Sequence, residues 1–236
     1  MKKLTLALLP FLLVKVMLPD EKGQPVGAVM KTPAEQLDGP YVLYKNNQVF
    51  VKYTVKSEGL KELRADSVAL SQKKELMLRV NTDEPGETFT VRLKDQLQNE
   101  KSEYRAVNKL MALSDIEGNF GAFRKLLQAN GVIDADFNWT FGDGDLVLVG
   151  DFCDRGSQVT EVYWLIYSLE EKARAAGGYV HYVLGNHEIM NMSGDLRYLH
   201  GKYLETQLLL NEKYESLYDE NSELGRWLRT KISWRR

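Results

Sequence analysis

Leu146-Val-Leu-Val-Gly-Asp-Phe-Cys-Asp-Arg-Gly156 is a short apolar run that stops abruptly in two acids and an arginine set between glycines. Four apolar residues bounded by glycine read as a buried strand, and the polar residues after them as a turn at its carboxyl end. The same pattern recurs on either side. Upstream, Lys109-Leu-Met-Ala-Leu113 runs into Ser114-Asp-Ile-Glu-Gly-Asn119; downstream, Tyr179-Val-His-Tyr-Val-Leu184 runs into Gly185-Asn-His-Glu188. Asp151 follows Asp115 by 36 residues, and Asn186 follows Asp151 by 35. The segments between read as helices. Phe120, Phe123, Leu126 and Leu127 mark one apolar face, stopped by Asn130-Gly131. Thr160 is placed to cap a second helix through Val162, Leu165, Ile166 and Leu169, which ends before Gly177-Gly178. Strands alternating with helices of this size predict an α/β fold with a parallel sheet of βαβ units. All three polar clusters then meet at the carboxyl edge of that sheet, where open α/β folds bind ligands.

Outward from this core the pattern changes. Val49, Val51, Tyr53 and Val55 alternate with Phe50, Lys52 and Thr54, and Leu76, Leu78 and Val80 precede the turn Asn81-Thr-Asp-Glu-Pro-Gly86 and then Phe89, Val91 and Leu93. Period two with turn residues between runs predicts a small antiparallel β-rich region over residues 38–105. It holds no histidine and no acidic cluster of ligand type, so its reading is packing or partner binding. Pro19 to Pro40 reads as a linker, and Leu204 to Arg229 as a charged helical stretch. At the start, Lys2 and Lys3 precede Leu4-Thr-Leu-Ala-Leu-Leu-Pro-Phe-Leu-Leu-Val14, of signal-peptide length and too short to span a membrane. The expectation is a leader over residues 1–28, with Val26-Gly-Ala28 as cleavage site and export to a periplasmic or extracellular compartment; the alternative is a cytoplasmic protein with an N-terminal strand. No other segment is long enough to cross a membrane.

Composition narrows the functions. The 236 residues carry a net charge of −2, with no global basic field for nucleic acid. The one cysteine, Cys153, excludes an internal disulfide and a cysteine-based zinc module. Arg155 lies only two residues after it, too close for the loop of a cysteine phosphatase. No phosphate-binding Walker loop and no serine-nucleophile elbow occurs.

Asp115 and Glu117, two apart at a strand end, point the same way if the extended geometry continues. Two such carboxylates repel unless a cation or proton lies between them. Alone, each cluster has a bland reading: a capping turn, a surface ion pair, a structural Asn-His turn. Together and in order they define one site, in which hard oxygen ligands meet an imidazole that can donate a proton near neutral pH and an arginine. That set suits metal-assisted hydrolysis of a phosphate ester.

These residues resemble the signature of the calcineurin-like metallophosphoesterases: Asp-x-His, Gly-Asp-x-x-Asp-Arg-Gly and Gly-Asn-His-Glu. Asp154-Arg-Gly156 and Gly185-Asn-His-Glu188 are similar to the phosphoprotein phosphatase branch, and Glu188-Ile-Met-Asn191 with Gly194-Asp-Leu-Arg-Tyr198 to the bacterial Shewanella-like phosphatases within it. The resemblance covers about residues 109–230, within a partial domain over residues 109–236. It implies two divalent ions, the first on Asp115 and Glu117, Asp151 bridging both, and Asn186 on the second and on a phosphate oxygen. It implies that His187, oriented by Asp154, protonates the leaving group, that Arg155 clamps the phosphate, and that Arg197 is a weaker second clamp. The implied substrate is a phosphorylated protein or small phosphate monoester, with no nucleic acid and no stable membrane span.

Two departures qualify this. Glu117 stands where the family has histidine, which makes the first site all-oxygen and favours Mn²⁺, with Mg²⁺, Fe and Zn²⁺ as alternatives. The family's two further histidines do not occur before Arg236, so the expectation is a C-terminally truncated chain with an incomplete second metal site. His181 reads as packed within a strand, and His200 as exposed or near substrate. The leading expectation is a metal-dependent phosphatase. The alternatives are a catalytically impaired phosphate- or phosphoprotein-binding pseudophosphatase, which for this chain the departures favour over full turnover, and a phosphodiesterase or nuclease.

Overall fold

A computed structural model describes residues 36–233 of the chain; the stretch read as a leader and most of that read as a linker lie outside them. Alternation governs the first half. β1 (Gln36–Lys45), β2 (Gln48–Ser57) and β3 (Leu60–Ala69) form an antiparallel sheet in that order. Both connections are two-residue turns, Asn46-Asn47 and Glu58-Gly59, and all four residues take positive φ, as the tightest hairpins require. Val49, Val51, Tyr53 and Val55 are buried as their spacing predicts. A single 3-10 turn (Leu70–Glu75) leads into a second hairpin, β4 (Met77–Asn81) and β5 (Thr88–Arg92), which buries Leu78, Val80, Phe89 and Val91. The β-rich region is therefore two separate sheets, and residues 93–109 carry no strand.

The second half alternates as expected: β6 (Leu110–Leu113), α1 (Phe120–Ala129), β7 (Asp145–Val149), α2 (Val159–Ala175), β8 (Tyr179–Leu184), α3 (Asn186–Met192), α4 (Gly201–Leu210), α5 (Glu223–Leu228) and β9 (Ile232–Ser233). The four strands pair in parallel in the order β6-β7-β8-β9. Asn119 caps α1 by accepting the Ala122 amide at 3.0 Å, and Gly131, at φ 65°, ends it. Three readings need correction. Leu126 is half-exposed, so the buried stripe of α1 is Phe120, Phe123 and Leu127. Thr160 does not cap α2, which starts at Val159; its hydroxyl is buried against Tyr41 Oη at 3.1 Å, and the Val159 amide instead donates to Tyr203 Oη at 2.7 Å. The C-terminal stretch is not one helix. Asn211 turns left-handed at φ 52°, a 3-10 turn (Tyr214–Tyr218) follows, and Ser222 starts α5 anew by accepting the Gly225 amide at 2.9 Å.

α2 is the axis of the molecule. Every residue from Val159 to Glu170 is buried, the mark of a helix covered on all sides. β8 packs on it, as do β1, β4 and β5 from the first half. Trp164, fully buried, donates its indole N–H to Pro40 O at 2.9 Å. Glu170 sits between Lys94 and Lys231, all three buried, and accepts the Trp227 indole N–H at 2.9 Å. The first half thus shares one core with the α/β half. Trp164→Ala should cost about 3–5 kcal/mol through cavity and transfer terms. Urea unfolding measures it, and a loss below about 1 kcal/mol would mean that the two halves do not meet at this side chain.

Candidate functional site

The expected edge exists. Parallel register places the ends of β6, β7 and β8 side by side, and the loops after them are laced by backbone hydrogen bonds. Asp115 N donates to Gly150 O (3.2 Å), Glu117 N to Asp151 O (3.0 Å), Gly118 N to Phe152 O (2.9 Å) and Gly156 N to Glu117 O (2.8 Å). Asp115, Glu117, Asp151, Asp154 and Arg155 all take positive φ, between 50° and 67°, half of the ten non-glycine residues among those described that do so. Such backbone costs about 1–3 kcal/mol per residue and concentrates where geometry serves function. Two glycines permit the closeness. A Cβ on Gly185 would lie 2.3 Å from Asp151 Oδ1, and one on Gly156 would lie 2.3 Å from Glu117 O.

Glu188, fully buried, holds the turns together. Its carboxylate accepts the amides of Asp151 (2.9 Å), Phe152 (2.8 Å) and Gly185 (2.8 Å), so one side chain joins the end of β7 to the start of α3. Asp151 Oδ1 in turn accepts the His187 amide at 3.0 Å. His187 Nδ1 lies 2.6 Å from Asp154 Oδ2, and Asn191, one helical turn on, donates to Asp154 Oδ1 at 2.8 Å. With Nδ1 engaged, Nε2 is the ring nitrogen left for other chemistry. The Tyr198 ring lies 5.1 Å from that of His187 and 5.4 Å from the Arg155 guanidinium, and Tyr198 O accepts the Arg155 amide at 2.9 Å.

Asp115, Asp151, Asn186, His187, Asp154 and Arg155 are therefore brought to one edge. Glu117 is there too, but its carboxylate is ion-paired with Arg155. Arg197 is not drawn in: it pairs with Asp195 at 2.8 Å, and its side chain is 71% exposed. His181 stands inside β8, with Nε2 2.9 Å from Asp145 Oδ2 and its ring against Tyr104 and Tyr179. Burial pulls its imidazole down, but Glu100 and Asp145 outweigh this and hold it raised. His200 accepts the Lys202 amide at 3.1 Å as the N-cap of α4. Sequence reasoning assigned no role to Glu188, Asn191 or Tyr198. Asn191 was within reach, because i and i+4 share a helix face with His187.

Among the described residues, no three His, Cys, Asp or Glu side chains are grouped as they would be around a metal ion. Two carboxylates and one amide remain at the edge, Asp115, Asp151 and Asn186, and no side-chain hydrogen bond from another described residue engages Asp115 or Asn186. Their oxygens suit a hard divalent cation. Glu117, held by Arg155, does not join them in this arrangement.

A strand-end site of acids, amide, imidazole and guanidinium on a βαβ sheet suits phosphoester chemistry. The family model for calcineurin-like phosphoesterases matches residues 109–232, and the chain belongs to that family, whose members generally use divalent metal ions. It is 36% identical over 110 residues to Shewanella-like protein phosphatase 2 of Arabidopsis thaliana, across 46% of this chain and 28% of that protein. It is 30% identical to Shewanella-like protein phosphatase 1 of Plasmodium berghei, across 41% and 27%. The crystal structure of a cold-active protein-tyrosine phosphatase from a psychrophilic Shewanella species is similar with a TM-score of 0.71 at 37% identity, over 83% of this chain and 58% of that one. Within the family, the chain is thus similar to Shewanella-like phosphatases. It spans little more than a quarter of the curated relatives and just over half of the solved structure.

Two outcomes follow from this geometry. Glu188→Ala strands three amides and should cost at least about 3 kcal/mol in urea unfolding, with a loss under about 1 kcal/mol contradicting its joining role. Burial pushes the Cys153 thiol well above its usual range, so it stays protonated and enclosed. A thiol reagent at pH 8 should label native protein negligibly and one thiol per chain after unfolding; rapid native labelling would show that Cys153 is accessible.

Proposed function

We propose that the chain hydrolyses phosphate monoesters, on a phosphorylated protein or a small molecule. The observation that carries this reading is the Asp154–His187–Asp151 linkage, which sets an imidazole beside two free strand-end oxygen donors and an arginine. The phosphatases to which the chain is similar support it. Asp115, Asp151 and Asn186 would hold a divalent cation, manganese in preference to zinc because every donor is oxygen. Such an ion supplies Lewis-acid charge neutralisation and an acidified water when bound.

The chain's own residues do the rest. Asp154 accepts the Nδ1–H of His187, which orients the ring and supports its protonated form, so that Nε2–H gives its proton to the leaving-group oxygen and the ring returns to neutral. Protonation there relieves the charge that develops as the ester bond breaks. Arg155 offers a planar fork to two phosphoryl oxygens, with its guanidinium lying over the Tyr198 ring. Buried and protonated, Cys153 has no place as a nucleophile. A second reading, phosphate capture without turnover, is favoured by one observation: Arg155 is already occupied by Glu117.

Hydrolysis of an aryl phosphate tests both. Activity should return to chelated protein with Mn²⁺ and drop about a hundredfold or more in Asp151→Asn. Asp154→Asn should lower kcat by roughly 10²–10⁴ with KM little changed. No hydrolysis under any cation, with phosphate still bound, would favour capture; full activity with Zn²⁺ and none with Mn²⁺ would refute the oxygen-ligand argument.

A further inference from the structure

The contact between Glu117 and Arg155 is more than a surface ion pair, because both ends are built in. Glu117 and Arg155 each hold left-handed backbone, at φ 50° and 55°. Their loops are tied by the bond from Gly156 N to Glu117 O at 2.8 Å. On its other side the guanidinium faces the Tyr198 ring at 5.4 Å, while its own amide is fixed to Tyr198 O at 2.9 Å. The two backbones are therefore fixed against each other, and the half-exposed Arg155 side chain meets Glu117 on one hand and the Tyr198 ring on the other. A carboxylate offers two oxygens in the same fork geometry as a phosphoryl group, so Glu117 fills the place that a phosphate would take on Arg155.

We infer that Glu117 is a built-in competitor for the anion clamp, and that a divalent cation at the Asp115–Asp151 edge opens the clamp by drawing Glu117 away. This rests on Arg155 being the phosphate contact. Cation and oxyanion then bind with positive coupling, each strengthening the other by the same factor. An oxyanion arriving without a cation must displace Glu117 and face its charge; one arriving with the cation does not. Glutamate at this position makes phosphate capture conditional on metal, which a neutral ligand could not do by pairing with arginine.

Orthophosphate binding by calorimetry tests the coupling on the whole chain in chelator, in a double-mutant cycle. Glu117→Gln should tighten binding about two- to fivefold, the scale of one partly exposed ion pair. Arg155→Met should weaken it, and Glu117→Gln should add nothing in the Arg155→Met background. Mn²⁺ should tighten phosphate binding to the wild-type chain by a larger factor than to Glu117→Gln, the excess being the release of the clamp. Equal binding by wild type and Glu117→Gln in chelator overturns the inference. So does an equal gain in the Arg155→Met background, which marks a general charge effect, and so does phosphate binding to none of the four proteins. Aryl phosphate hydrolysis measured alongside separates the two readings: the cycle intact without turnover overturns catalysis and leaves the competitor standing.

Discussion

Three amides from two strand ends converge on one buried carboxylate, that of Glu188. Parallel strands end with their loops free to diverge, since no hairpin joins them. Glu188 removes that freedom between β7 and α3. Because it sits at the third position of α3, one of its three contacts reaches back to the Gly185 amide just before the helix, as in a capping box. Asp151 is then fixed through its own backbone before its carboxylate engages anything. His187 follows from Asp151, and Asp154 from His187. Remove the first contact, and no later distance in the series is set.

This order explains how so much left-handed backbone persists. Five non-glycine residues with positive φ within one edge would be costly in an isolated loop. Here, amides from the loop after β6 donate to carbonyls after β7, and Gly156 N returns the link to Glu117 O. The interlock leaves the backbone no relaxed alternative, and it aims side chains that ordinary extended geometry would send to opposite faces. Strain at this edge and satisfied backbone groups behind it are two aspects of one arrangement.

Legibility in the sequence followed the range of the physics. The parallel sheet and the edge were readable because apolar runs and glycine-flanked acids are local signals, repeated three times. The hairpins were readable from period two, although the gap between β3 and β4 was not, because nothing local marks where one sheet stops and another begins. Thr160 misled: a threonine before an apolar run has the look of a cap, but Tyr203, more than forty residues away in α4, takes that role. The pairing of Glu117 with Arg155 was invisible for the same reason. Two residues apart on extended backbone, Asp115 and Glu117 should point together, yet positive φ at both breaks that rule.

The first half of the chain has a claim on the site that neither its composition nor its distance in sequence suggests. Lys202 in α4 places its ammonium 3.0 Å from Asp38 of β1 and 2.7 Å from Ser157 O, just after the Asp154-Arg155-Gly156 turn. Asp38 also accepts from Tyr41 and Thr206, each at 2.8 Å, and is itself buried. Burial pushes the nearby Glu161 carboxyl up to about 7, against the pull of Lys202. Asp38, with its side chain fully buried, holds Lys202 in place, since an unpaired buried charge costs several kcal/mol. Its geometry therefore transmits the position of β1 to the loop that carries Arg155. The antiparallel sheet is better understood as the outer wall of the loop that carries Arg155 than as an appended module, and changes in β1 near Asp38 bear on that loop through Lys202.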